Sequence, residues 1–255
     1  MRGGAKRRIR MPAMRLDRFL ANAGCGTRSE VKQLLKKGMV TVNHAVIRLP
    51  EYKVNTDMDS VLCNGKEIRL SGCRYFLLNK PAGYLSATED RRQPVVLDLL
   101  SGEDRKNLFP VGRLDVDTEG LLLLTDDGVL AHELLSPRKH VEKTYYAEIE
   151  GIVTGEDVIR FREGLDIGEK KKTLPAKLVL LDHDAQAIPH SRIELTIHEG
   201  KFHQVKRMFE AVGKRVVYLK RISMGNLKLD ETLQKGEYRS LTAEEIEGLK
   251  RNAEK

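Results

Sequence analysis

Four leucines in a row, Leu121 to Leu124, follow a turn-rich segment that carries a carboxylate at every second position: Asp115, Asp117 and Glu119. A short unbroken aliphatic run of this kind reads as a buried strand. It is far too short to cross a bilayer, which takes about 20 apolar residues. Any fold of this chain must therefore bury the leucines while keeping three carboxylates hydrated or paired at the start of the strand.

The rest of the chain supplies layers to pack around that strand. Arg74–Asn79 reads as a strand ending at Lys80-Pro81, and residues 128–135 as a short helix stopped by Ser136-Pro137. Residues 144–150 and 192–197 alternate apolar and polar like half-buried strands. Val205, Met208, Phe209 and Val212 mark one face of a helix that ends at Gly213, and residues 216–222 form another strand. Separated strands with few long helices point to an α+β domain on a mostly antiparallel mixed sheet.

In front of it lies a smaller module. Leu16, Phe19, Leu20 and Ala23 line one face of a helix that Gly24 and Gly26 end. Thr27-Arg28-Ser29-Glu30 matches a capping box, opening a second helix with Val31, Leu34 and Leu35 as its buried stripe. Arg28, Lys32 and Lys36 recur every four residues and share its exposed side. Val40 and Val42 alternate into a strand, and Asn64-Gly65 marks a hairpin turn. The expected organisation is a basic extension at 1–13, a small α/β domain at 14–70, a linker at 70–73, a larger α+β domain at 74–242 and a charged tail, helical or frayed, at 243–255.

Charge narrows the partners. Lys plus Arg is 45 and Asp plus Glu is 37, a formal net charge of 45 − 37 = +8. That balance favours a polyanion, although a charge run on a helix is as readily a solvated face. The basic start leads into no apolar segment, so no signal peptide is expected. Cys25, Cys63 and Cys73 are scattered and odd in number, which suits reduced thiols in a cytoplasm.

Several chemistries compete for the carboxylate segment. It matches only the first half of a calcium-binding loop, since Leu123 and Asp126 stand where later ligands belong. A carboxylate pair holding Mg²⁺ would make a nuclease or phosphotransferase. A lone nucleophilic or basic aspartate is a third option. Asp117 and Glu119 are read as polar turn residues that satisfy nearby backbone. In His198-Glu199-Gly200-Lys201-Phe202-His203 the histidines are five apart and Gly200 suggests a turn, so no helical zinc motif is expected.

Taken in order, Asn79-Lys80-Pro81-x-Gly83, Gly112-Arg113-Leu114-Asp115, Asp117-Thr118-Glu119-Gly120-Leu121, Glu142-Lys143-Thr144-Tyr145 and Glu199-Gly200-Lys201-Phe202-His203-Gln204-Val205-Lys206-Arg207-Met208 resemble the RsuA-type branch of the RNA pseudouridine synthases. Arg15-Leu16-Asp17, Gly26-Thr27-Arg28-Ser29 and Gly38-Met39-Val40-Thr41-Val42-Asn43 resemble the RNA-binding domain of a small-subunit ribosomal protein. His44 stands where that domain usually has Gly, a departure confined to the local turn.

The resemblance implies an isomerase acting on a flipped-out uridine, with Asp115 as the essential carboxylate, Tyr145 against the base and Lys206 paired with the aspartate. Arg15, Arg28, Lys32, Lys36, Arg113 and Arg207 are the candidate RNA contacts. Extruding the uridine costs a few kcal/mol, and a flat tyrosine ring offers the base a new surface. Such an isomerisation neither oxidises, reduces nor phosphorylates, so no cofactor and no metal is expected. The expected partner is ribosomal RNA or an assembling ribosomal subunit, with no membrane contact and a monomer as the default. The form of the last motif points to small-subunit (16S) rRNA. A large-subunit target and an inert RNA-binding assembly factor are the alternatives.

Overall fold

The computed structural model describes residues 13–56, 58–68, 72–184 and 189–254. The basic extension, save Ala13, lies outside these residues, as do Leu70 and Ser71 of the expected linker. The chain divides between Cys73 and Arg74 into two compact units.

The first unit opens with β1 (Ala13–Arg15), α1 (Leu16–Asn22) and α2 (Arg28–Lys36). Five short strands follow: β2 (Val40–Val42), β3 (Ala45–Val46), β4 (Lys53–Asn55), β5 (Val61–Cys63) and β6 (Lys66–Ile68). The capping box forms, with Thr27 and Glu30 satisfying each other's backbone N–H groups. Leu16, Phe19, Leu20, Val31 and Leu35 are buried against Val40, Val54 and Val61, a core that needs both helices and the sheet. Asn64 and Gly65 both take positive φ, 52° and 74°, as the tight β5–β6 hairpin demands. The same demand falls on the β2–β3 turn. There Asn43 and His44 take φ of 48° and 69° without a glycine. The Asn43 side chain bonds Asp59 Oδ1 and the Ser60 N–H, both at 2.9 Å, and holds the turn despite the strain.

The second unit is built on one large sheet. Its elements are β7 (Tyr75–Lys80), β8 (Phe109–Pro110), β9 (Glu119–Thr125), α3 (Gly128–Leu135), β10 (Lys143–Glu150), α4 (Gly155–Glu163), β11 (Lys177–Asp184), β12 (His190–Ile197), α5 (Gln204–Glu210), β13 (Arg215–Met224), β14 (Leu227–Lys228), β15 (Tyr238–Ser240) and α6 (Ala243–Glu254). The main strand order is β11-β12-β10-β13-β9-β7-β15. Every pairing is antiparallel except β13 with β9.

The four leucines of β9 are each fully buried and explain the layering. Leu122 and Leu124 point into one core with Leu78, Ile149, Ile193, Phe161 and Phe209. Leu121 and Leu123 point into the opposite core with Leu77, Leu130, Leu134 and Leu249. The last of these residues decides the character of the C-terminal segment. Leu249 of α6 is fully buried and α6 packs on α3, so residues 243–254 are a structural helix of the second unit rather than a loose tail. Among the described residues no helix is long and apolar enough to cross a membrane.

Replacing Leu249 with Ala should therefore cost the full chain about 2–5 kcal/mol, the range for a buried leucine. A thermal or urea unfolding curve checks this, and an unchanged midpoint would return residues 243–254 to the status of a dispensable tail.

Candidate active site

The carboxylate segment forms a loop held on both sides. Gly83 N–H donates to Val116 O at 2.7 Å, and Ser86 Oγ accepts from Leu114 N–H and donates to Leu114 O, each at 3.0 Å. Beneath the loop lies Lys80, with no exposed surface. Its Nζ donates to the carbonyls of Thr118 at 2.8 Å, Pro81 at 3.0 Å, Asp115 at 3.1 Å and Val116 at 3.2 Å. Burial pushes the Lys80 ammonium down to about 8, a drop that the nearby charges of Asp117, Glu119 and Asp115 only partly offset. At the far end of the loop, Gly120 sits at φ 97° opposite Arg221 of β13. A Cβ there would meet Arg221 O at 2.3 Å, so only glycine lets the two parallel strands approach.

The loop delivers Asp115 to a small cavity of about 80 Å³ that opens to solvent. Arg113, Tyr145, Ile197, His203, Lys206 and Leu219 also line it. The Tyr145 ring is nearly buried, at 8% exposure, on the face of β10 that carries Ala147 and Ile149 into the core. Lys206, from α5, has its Nζ 3.3 Å from Asp115 Oδ2. It lies closer to Asp117, at 2.7 and 2.8 Å from the two carboxylate oxygens. His203 Nε2 stands 3.5 Å from Asp115 Oδ1 on the other side. Partial burial works against the charge on Lys206, but the bond to Asp117 and the fields of both aspartates outweigh it and hold its pKa above the ordinary range. Burial likewise works against the Asp117 carboxylate, and its hydrogen bond to Lys206 reverses the balance and holds it below the ordinary range.

Asp115, Tyr145, Lys206 and Arg113 thus meet in one cavity. Arg207 does not join them as a free cation. Its guanidinium pairs with Glu169 at 2.9 Å and donates to the carbonyls of Phe202 and Ile167, which braces the turn before α5. Arg15, in the first unit, is half-exposed and paired with Asp17 at 2.8 Å, while Arg28, Lys32 and Lys36 are exposed along α2. Two readings of single residues also change. Asp117 is the tightest partner of Lys206 rather than a mere turn residue. Glu119 is buried and accepts from Tyr218 Oη at 2.7 Å and Lys235 Nζ at 2.9 Å.

Sequence inspection gave Lys80 and His203 no role, although both lie in the motifs quoted above, and did not single out Ser86. Lys80 had one legible signal, a lysine closing an apolar strand immediately before a proline. Ser86 had none.

A family model described as RNA pseudouridylate synthase matches residues 74–211, and an S4 domain model matches residues 14–61. The chain belongs to the RNA pseudouridylate synthase family. These proteins are isomerases that act on RNA. Among its relatives, an uncharacterized RNA pseudouridine synthase of Bacillus subtilis is 48% identical, over 91% of this chain and 97% of that protein. The ribosomal small subunit pseudouridine synthase A of Vibrio cholerae is 43% identical, over 92% of this chain and 99% of that one. A crystal structure of a pseudouridylate synthase, 38% identical, superposes with a TM-score of 0.67 and covers 92% of this chain and 99% of its own.

Lys80 fixes the backbone of the loop that carries Asp115. Lys80→Met would leave the carbonyls under the Asp115 loop without their cation. Pseudouridine formation should fall by about tenfold or more, since small misplacements of a reacting group are costly, with RNA affinity retained. The native pKa, about 8, lies below the ordinary lysine value of 10.5, so the unfolded chain holds this proton more tightly between the two. This group alone therefore makes wild-type stability rise with pH across that window. Stability curves of wild type and Lys80→Met at pH 7 and pH 9.5 check the sign: the difference attributable to Lys80 should move in favour of wild type at the higher pH.

Proposed function

We propose that this chain isomerises one uridine of small-subunit ribosomal RNA to pseudouridine, with Asp115 as the attacking carboxylate. The observation that carries the reading is the position of Asp115 in the cavity, 3.3 Å from the Lys206 ammonium and on a loop locked from below by Lys80. Tyr145 offers a flat, nearly buried wall for a uracil ring, and Arg113 is exposed at the same opening to meet a phosphate.

In the proposed cycle the uridine leaves its stack and enters the cavity. Asp115 forms a transient covalent link to the nucleotide while the N1–C1′ bond breaks. The base turns, C5 bonds to C1′ and the link to Asp115 breaks, which returns the free carboxylate; the C5 proton departs and N1 gains one, so the product has the atoms of the substrate. Lys206 supplies the positive charge beside Asp115, and Asp117 holds Lys206 in place. The first unit would hold the RNA through Arg28, Lys32 and Lys36, and the second would carry out the reaction. The small-subunit target is supported by relatives such as the ribosomal small subunit pseudouridine synthase A of Vibrio cholerae. We place the enzyme in the cytoplasm, where rRNA is assembled, acting as a monomer.

Mapping of rRNA pseudouridines in cells lacking the protein tests the reading, with wild type or Asp115→Asn restored. The expected result is the loss of one small-subunit pseudouridine that wild type alone restores, while Asp115→Asn still binds RNA. Restoration by Asp115→Asn would remove the nucleophile assignment, loss of a large-subunit site would redirect the target, and no change at any site would favour a binding role.

The α2 strip has its own signature. Lys32→Gln with Lys36→Gln should weaken binding across RNA sequences and flatten the slope of log affinity against log salt by roughly 2, one per phosphate contact. An unaltered slope in a salt titration would make that helix side plain solvated surface.

A further inference from the structure

Phe202 is the one large aromatic ring among the described residues that stands mostly in water, with 72% of its surface exposed. Keeping a phenylalanine side chain in water forgoes the gain of burying it, so its position calls for a partner. The ring is not on a loose loop. Its carbonyl accepts from Arg207 Nη1 at 3.1 Å. The preceding Lys201 donates its N–H to Gln204 Oε1 at 2.9 Å and its Nζ to the carbonyls of Lys171 and Lys172 at 3.0 and 3.1 Å. The outward pose is thus built in.

One face of the ring is already used. Phe202 stacks on His203 with centroids 3.8 Å apart and planes within 20°. His203 in turn lies 3.5 Å from Asp115 and lines the cavity. A short column therefore runs from the reactive carboxylate through two parallel rings to the solvent, and its outer face is bare. The charge around it states what fits there. Lys170, Lys171 and Lys172 are exposed on the segment that Lys201 ties to this turn. A flat ring on a turn tied to a segment with three exposed lysines suits a nucleobase on a phosphate backbone. A neutral protein surface would not use the cations.

We propose that Phe202 and His203 form a stacking platform for a base that flanks the target uridine. The platform replaces the stacking partner which that base loses when the uridine enters the cavity. It rests on the reading that the cavity receives a flipped uridine. On that reading Phe202 lowers the cost of extrusion, and it helps choose among uridines by the stacking strength of their neighbours.

The test uses the full chain and an rRNA fragment carrying the mapped uridine, with 2-aminopurine placed on either side of it. Phe202→Leu keeps an apolar side chain and loses the ring; Phe202→Trp keeps a ring. The proposal expects kcat/KM for pseudouridine formation to fall by about tenfold in Phe202→Leu and to be held in Phe202→Trp. It also expects one flanking 2-aminopurine to be quenched by wild type and Phe202→Trp and to stay bright with Phe202→Leu. Matching melting curves would show that both variants fold. If Phe202→Leu kept wild-type kcat/KM, or lost it with the quench unchanged, the platform would be wrong. So would a concentration-dependent dimer in wild type that Phe202→Leu dissolves, which would give the ring to a second copy of the chain. Asp115→Asn separates the two levels: an active Asp115→Asn would sink the underlying reading, whereas the Phe202 results bear on the platform alone.

Discussion

A buried lysine ammonium under a loop of backbone carbonyls is the interaction on which the site depends. Lys80 reaches four carbonyls, three of them from the stretch that carries Asp115. Burying a charge is expensive, and the cost shows in a pKa pulled down to about 8. The carbonyls offset that cost only while the loop keeps its shape. Loop geometry and lysine burial therefore stabilise each other, and Asp115 is held through its backbone carbonyl while its side chain stays at the cavity.

That arrangement needs a rigid floor, which the sheet provides. Leu121 to Leu124 face two cores in alternation, so β9 cannot shift by one residue without exchanging its faces. The one parallel pairing, β13 with β9, brings Gly120 against Arg221 at a distance that admits no side chain. The loop before β9 is then fixed relative to β10, which carries Tyr145. Strand β13 follows α5, which carries Lys206. Groups far apart in the chain converge because the strands between them have one register.

The electrostatics of the site are layered. Asp117 grips Lys206 more closely than Asp115 does, so Asp115 has the company of a cation without being fully occupied by it. A carboxylate locked in a tight ion pair would have to break it before reacting. Here the tighter contact falls on Asp117, the more exposed of the two carboxylates.

Much of the fold was legible because its determinants are local. The Thr27–Glu30 capping box, the Asn64-Gly65 turn, the helix at 128–135 and the leucine strand are each written within a few residues. Elements with weak local patterns were not: β11 is an edge strand with nearly every residue exposed, so it has no alternation to read, and α4 buries only Asp157 and Phe161. At the site, the sequence by itself determined which residue types were available and marked Asp115, Tyr145 and Lys206 through motifs. Only the tertiary structure decided that Asp117 is the closer partner of Lys206, that Arg207 pairs with Glu169, and that Lys80 lies beneath the loop that carries Asp115. Pairing and burial between residues as far apart as Asp117 and Lys206, 89 positions along the chain, are set by strand register and packing, which no local pattern encodes.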